Sequence, residues 1–107
     1  MDASVAPDEA AEDGPELESG ASFGRYTVVG RIGRGGFGEV YEAVHRELGK
    51  RVALKVLRRE FAVHPTVRAR FTREAQVASR LRHPHVLDVT DVGVCDARPF
   101  LVMELLE

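Results

Sequence analysis

Three glycines, Gly33, Gly35 and Gly38, are spaced Gly-x-Gly-x-x-Gly within Ile32-Gly33-Arg34-Gly35-Gly36-Phe37-Gly38-Glu39-Val40. Seventeen positions beyond the last of them stands Lys55, closing Val52-Ala53-Leu54-Lys55. Without Cβ atoms the backbone can bend tightly and approach an anion, so that main-chain N–H groups point at phosphate oxygens. A glycine-rich turn between β-patterned segments, followed by one lysine on a third, is an arrangement for holding nucleotide phosphates.

The glycine string alone is weak evidence, because it also opens dinucleotide-binding folds. There a helix must follow and an acid must come about 20 residues later. Here Glu39-Val40-Tyr41-Glu42-Ala43-Val44 alternates like a strand, which disfavours that reading. The Gly-x-x-x-x-Gly-Lys-Ser/Thr loop is absent, since Gly49-Lys50 is followed by Arg51. A plain hairpin turn is the bland alternative, and the spacing to Lys55 argues against it.

Lys55 lies in an apolar segment on the parity of Ala53 rather than Leu54, and a buried ammonium needs an anionic partner to stay charged. Glu74 is the candidate. It falls three residues after Phe71 and seven after Val67, on the apolar side of a helical pattern. A Lys55 to Glu74 ion pair is the simplest solution. Kept only for stability such a pair would gain little, which favours a functional reason for it.

These groups need a scaffold. Tyr26, Val28 and Ile32, then Val40, Glu42 and Val44, then Val52, Leu54 and Val56 mark three successive strands of an antiparallel meander, with Gly49-Lys50 in the second turn. Between Pro65 and Arg82 the period lengthens, with Val67, Phe71, Ala75, Ala78 and Leu81 on one stripe and Pro65 in the first turn. Val86 to Val92 and Pro99 to Leu106 give two further strands around a turn containing Gly93 and Asp96. The fold class is α+β, a five-stranded antiparallel sheet with one amphipathic helix. Residues 1–22 carry almost no large apolar side chains and are expected to form a disordered acidic leader. The folded domain is expected over 23–107.

With 107 residues and 44% apolar content, the chain can hold one small core. Residues 1–24 hold seven acids and no base, leaving fifteen bases against ten acids in the body, a balance of about +5. That suits an anionic ligand but is too mild to imply nucleic acid. The single Cys95 cannot form an internal disulfide, and neither a signal peptide nor a membrane-length apolar run is visible. A cytoplasmic setting is expected, with no membrane contact in this segment and any anchor lying beyond it.

Together these motifs resemble the eukaryotic-like protein kinases, in particular their bacterial serine/threonine branch. Gly33-x-Gly35-x-x-Gly38-x-Val40 resembles the nucleotide loop, Val52-Ala53-Leu54-Lys55 the third-strand lysine motif, and Phe71-Thr72-Arg73-Glu74-Ala75 the helix that supplies its glutamate. His83-Pro84-His85-Val86-Leu87 resembles the entry to the fourth strand, and Leu101-Val102-Met103-Glu104 the fifth strand leading to the hinge.

The resemblance implies the N-terminal lobe of a protein kinase, with the C-terminal lobe absent from this chain. It implies a site for ATP with Mg2+, in an enzyme that transfers the γ-phosphoryl to protein Ser/Thr hydroxyls. Lys55 would contact the α- and β-phosphates and Glu74 would hold it, the two catalytic positions. Gly33, Arg34, Gly35, Gly36 and Gly38 would form the phosphate loop, with Phe37 capping from its tip. Ile32, Val40 and Ala53 would line the adenine slot under Met103 as gatekeeper. The backbone of Glu104 and Leu106 would bind the adenine edge. Partners implied are ATP, protein substrates and a candidate kinase dimer partner, with no nucleic acid.

The catalytic-loop aspartate, its asparagine and the Asp-Phe-Gly aspartate have no counterpart in place. His45-Arg46-Glu47 and Asp91-Val92-Gly93 imitate them but fall in or near turns, so turn chemistry is the expected role. No protein-held metal is expected, because His83, His85 and Cys95 are too few and ill-spaced. Cys95 lacks the cationic cluster of a reactive thiol. Arg68, Arg70, Arg73, Arg80 and Arg82 give the helix a basic face, by default a solvated one. The fragment alone is expected to be catalytically inactive, a truncated piece of a kinase. The alternative is a noncatalytic nucleotide-binding or kinase-docking module.

Overall fold

The computed structural model describes residues 14–80 and 89–105, and the side chains of 14–74 and 89–105. Six strands form one sheet: β1 Ser22–Phe23, β2 Tyr26–Gly35, β3 Gly38–His45, β4 Arg51–Leu57, β5 Val89–Cys95 and β6 Arg98–Glu104. Their order is β1-β2-β3-β4-β6-β5, every pair antiparallel. Between β4 and β5 the chain makes one helical turn, α1 (Arg59–Ala62), and then the helix α2 (Pro65–Arg80). The expected sheet and amphipathic helix are present, and β1 and α1 add to the five strands and one helix read from sequence.

Register decides which residues share a face, because directly opposed residues of an antiparallel pair point the same way. Tyr41 faces Leu54 and Ala43 faces Val52, while Leu54 faces Val102 and Val56 faces Phe100. This face carries the larger core, closed at its end by Phe23, Tyr26 and Val28. Phe23 and Tyr26 both set their rings edge-on to Phe100, with centroids 5.5 and 6.5 Å apart. On the opposite face Leu57 and Leu101 pack against Ala62 of α1 and Phe71 of α2, with Val67 and Met103 alongside. Pro65 opens α2, where a missing N–H costs nothing.

The burial of β3 adds to the sequence reading, and two expectations are corrected. In β3 the buried parity is Glu39, Tyr41 and Ala43, whereas Val40, Glu42 and Val44 are only half-buried. The branched residues of β3 therefore mark the side that carries Lys55, and a carboxylate and a phenol mark the side of the larger core. The folded region also begins before the leader boundary expected at 22. Gly20 N–H donates to Val28 O (2.7 Å), Val28 N–H to Ala21 O (2.8 Å), and Leu17 packs on the larger core. Finally, the β5–β6 turn centres on Asp96 and Ala97, with φ of 53° and 61°, the signature of a two-residue hairpin turn. Gly93 is not in that turn but inside β5, where an added Cβ would lie 3.0 Å from the Phe100 ring. The expected strand starting at Val86 begins outside the described residues, as do His83, His85 and Arg82.

Candidate phosphate-binding site

The β2–β3 hairpin closes tightly because Gly35 pairs with Gly38, leaving Gly36 and Phe37 as a two-residue loop. Gly36 has φ of 55°, a conformation that residues with a Cβ seldom adopt. Gly38 serves another purpose: an added Cβ would stand 3.0 Å from the Val56 carbonyl oxygen, so only glycine lets β3 lie this close to β4 there.

Opposite this hairpin, Val40 faces Lys55, Lys55 faces Leu101, and Ala53 faces Met103. Val40, Ala53, Lys55 and Met103 thus share the sheet face over which α2 packs. Gly35, Gly36, Phe37, Gly38, Lys55, Arg70, Phe71 and Glu74 line one cleft of about 340 Å³. Glycine turn, lysine and helix carboxylate are therefore brought together.

They are not brought into the expected ion pair. Among the described residues no ion pair includes Lys55, and the Glu74 side chain is 68% exposed, with Oε2 3.6 Å from Arg70 Nε. The reason lies on the helix. Phe71 and Val67 point into the smaller core, and Glu74 lies off that stripe where Arg70, one turn earlier, reaches it first. Lys55 and Glu74 share a cleft rather than a contact.

Other expected contributors divide. Ile32 sits where β2 shifts register between Arg31 and Gly33 and is 53% exposed. Arg34 is paired with Glu39 in register and directs its Nε to 3.9 Å from Glu39 Oε2, away from the cleft. Phe37 lines the cleft from the hairpin tip, with its ring edge-on to Phe61 of α1 at 4.8 Å, and its carbonyl accepts the Arg58 N–H at 2.8 Å. Glu104 ends β6 opposite Val52. Leu106 lies outside the described residues.

A buried polar network behind the hairpin was not anticipated. Glu39 is fully buried, and Arg31 Nη1 donates to its Oε2 at 2.8 Å. The Tyr41 hydroxyl donates to Oε1 of the same carboxylate. That hydroxyl in turn accepts the N–H groups of Glu16 (3.0 Å) and Leu17 (3.1 Å). Burial alone would push the Glu39 carboxyl up, but hydrogen bonds from Tyr41, Arg31 and the Glu16 backbone outweigh it and hold the group below its ordinary value. For Tyr41 burial and the hydrogen bond to Glu39 act together and push the phenol up to about 12. The signal for this network was the bulk of Tyr41 on the same parity as Glu39. Among the described residues Arg98 is the second buried charge, 3% exposed, donating from Nε to Leu57 O (3.0 Å) and from Nη2 to Glu16 Oε1 (2.5 Å).

Of the two imitations of catalytic motifs, His45-Arg46-Glu47 serves a turn, whereas Asp91-Val92-Gly93 lies inside β5 rather than in the expected turn, paired with Val102, Leu101 and Phe100 of β6. His45 Nδ1 accepts the N–H groups of Glu47 (3.2 Å) and Leu48 (3.1 Å), and Arg46 donates to the carbonyls of Tyr26 and Gly24. Asp91 accepts from the Tyr26 hydroxyl (3.3 Å) and from the N–H of Val92 (2.9 Å). Arg68, expected on a solvated face, bridges the carbonyls of Ala62 (3.0 Å) and Ala97 (2.6 Å). Burial raises the Cys95 thiol, against reactivity.

Comparison with known proteins bears on this arrangement directly. Residues 26–107 match the protein kinase domain family. The chain belongs to that family. It is 43% identical over 95 residues to the serine/threonine-protein kinase PknH of Mycobacterium tuberculosis (strain CDC 1551 / Oshkosh), a match covering 89% of this chain and 15% of PknH. It is 42% identical over 91 residues to the serine/threonine-protein kinase PknF of M. tuberculosis (strain ATCC 25618 / H37Rv), covering 85% of this chain and 19% of PknF. The crystal structure of the M. tuberculosis PknI kinase domain superposes with a TM-score of 0.66 at 42% identity, over 85% of this chain and 37% of that one. The chain thus spans less than a fifth of the curated relatives named here, and the part matched is the N-terminal lobe of the kinase fold.

Proposed function

We propose that this chain is the ATP-holding lobe of a serine/threonine protein kinase, whose complete form transfers the γ-phosphoryl of magnesium-ATP to a protein hydroxyl. The observation that carries this reading is the common cleft of the glycine hairpin, Lys55 and Glu74. In it the N–H groups of Gly35 to Gly38 receive phosphate oxygens, and the Lys55 ammonium neutralises the α- and β-phosphates as a point charge. Val40, Ala53 and Met103 give the adenine ring an apolar seat, and the backbone of Glu104 and Leu106 pairs with its edge. Catalysis by these groups is positioning and electrostatics rather than covalent chemistry.

Glu74 acts after moving off Arg70 to engage Lys55, with which it already lines one cleft. In this reading magnesium arrives with the nucleotide phosphates as part of the substrate. No helix among the described residues is long and apolar enough to cross a membrane, and we place this lobe in the cytoplasm. No observation favours the noncatalytic alternative.

An acyl-phosphate derivative of ATP tests the reading, because it acylates the lysine beside the bound phosphates. Mass spectrometry should find the label on Lys55, suppressed by excess ATP. Equal labelling of Lys50 and Lys55, unaffected by ATP, would refute it.

A further inference from the structure

The segment ahead of the sheet is bound to the residue that follows the glycine hairpin. Glu39 comes directly after Gly38, and its buried carboxylate is held by Arg31 across the hairpin on β2 and by Tyr41 two positions along β3. The base of the hairpin is therefore cross-linked through one carboxylate. Glu16 completes the link from outside: its N–H points at Tyr41 Oη (3.0 Å) and Glu39 Oε1 (3.3 Å). Its own side-chain Oε1 accepts from Arg98 Nη2 (2.5 Å) and from the Arg59 N–H (3.0 Å). Arg98 closes the circuit on the carbonyl of Leu57, two residues beyond Lys55 on β4. One short segment thus ties the hairpin base, the end of the lysine strand and the start of α1.

We infer that Glu16 and Leu17 form a clasp that positions the glycine hairpin over Lys55, so that residues preceding the kinase fold set its affinity for nucleotide. This rests on the ATP-binding reading given above. None of Glu16, Leu17, Glu39 and Tyr41 lines the cleft, so Glu16, Glu39 and Tyr41 are positioning residues. They act through the angle at which β2 and β3 leave the sheet. A buried, fully hydrogen-bonded network has few alternative arrangements, which makes it suited to fixing that angle.

The experiment compares the chain with Glu16→Ala, Glu16→Gln and Tyr41→Phe. Amide hydrogen exchange is followed at residues 33–38 and, as an internal reference, at 100–102 in β6, without nucleotide. Affinity for magnesium-ATP is measured in parallel. Loss of one or two hydrogen bonds should accelerate exchange in the hairpin by about fivefold to tenfold over the reference, and weaken ATP by a similar factor. The effect is expected in Glu16→Ala, with Glu16→Gln restoring most of it, because its amide oxygen still accepts from Arg98 and Arg59; Tyr41→Phe, which weakens the whole sheet, should accelerate both sites and weaken ATP as well. Uniform acceleration at both sites in Glu16→Ala, or a lower Tm with hairpin exchange and ATP affinity unchanged, would overturn the clasp and leave a merely structural role. A parent chain that binds no ATP would count against the nucleotide reading alone, and the exchange ratio would still decide the clasp.

Discussion

Tyr41→Phe removes one oxygen atom and should be among the most damaging conservative changes in the chain. The hydroxyl donates to a fully buried carboxylate and accepts two backbone N–H groups. A hydrogen bond to a charged acceptor contributes about 1.5–3 kcal/mol and each neutral one about 0.5–1.5 kcal/mol. Water at the partly exposed Glu16 replaces some of this, so a net loss of about 3 kcal/mol is expected. In a domain this small that lowers Tm by roughly 12–24 °C.

The same change has a pH signature. Tyr41 titrates at about 12 in the folded chain, against about 10 unfolded. The native state holds the proton more tightly, so the stabilisation is full below pH 10 and is lost as pH rises through 12. Two units correspond to about 3 kcal/mol. The stability gap between parent and variant should therefore be widest near pH 8 and close by pH 12, read by urea unfolding at a series of pH values. A gap below about 0.5 kcal/mol at pH 8, or one that does not narrow, would refute the network as described.

Two further outcomes follow from the same geometry. Glu39 has a lowered folded-state value, so its contribution is present above the ordinary carboxylate range and is lost as pH falls through the folded value. Glu39→Gln should flatten that acid limb in unfolding curves, and an unchanged limb would mean the carboxylate is not the titrating group. Gly93→Ala would press a methyl group to 3.0 Å from the Phe100 ring and should cost about 1–3 kcal/mol in urea unfolding. A neutral result would show that the ring, flanked by Phe23 and Tyr26, gives way freely.

Much of this was legible in the residues, for identifiable reasons. The glycine spacing, the parity of Lys55 and the helical period from Pro65 each express a local rule, and each is kept in the fold. What local rules missed was set by partners far along the chain. An acid between Gly38 and Val40 carries no local signal of burial, and it is the register of β3 against β4, with Glu39 opposite Val56 and Tyr41 opposite Leu54, that places Glu39 on the core face. Glu16 and Leu17 carry no hydrophobic pattern of their own, and what holds them is Tyr41, 24 to 25 residues away, and Arg98, 82 residues away. Glu74 was placed near Lys55 by helical arithmetic, which fixes a side chain's direction to within a turn and cannot decide between Lys55 and the neighbouring Arg70.

The most direct test of the central claim, that Lys55 and the glycine hairpin hold nucleotide phosphates, is a calorimetric titration of magnesium-ATP into this chain and its Lys55→Met variant. Lys55 is in the cleft and outside both core clusters, so the variant should unfold at nearly the parent's temperature. Loss of a charge-assisted contact of about 2 kcal/mol predicts binding weakened roughly thirtyfold. Equal affinity in parent and variant, with both folded, would contradict the account.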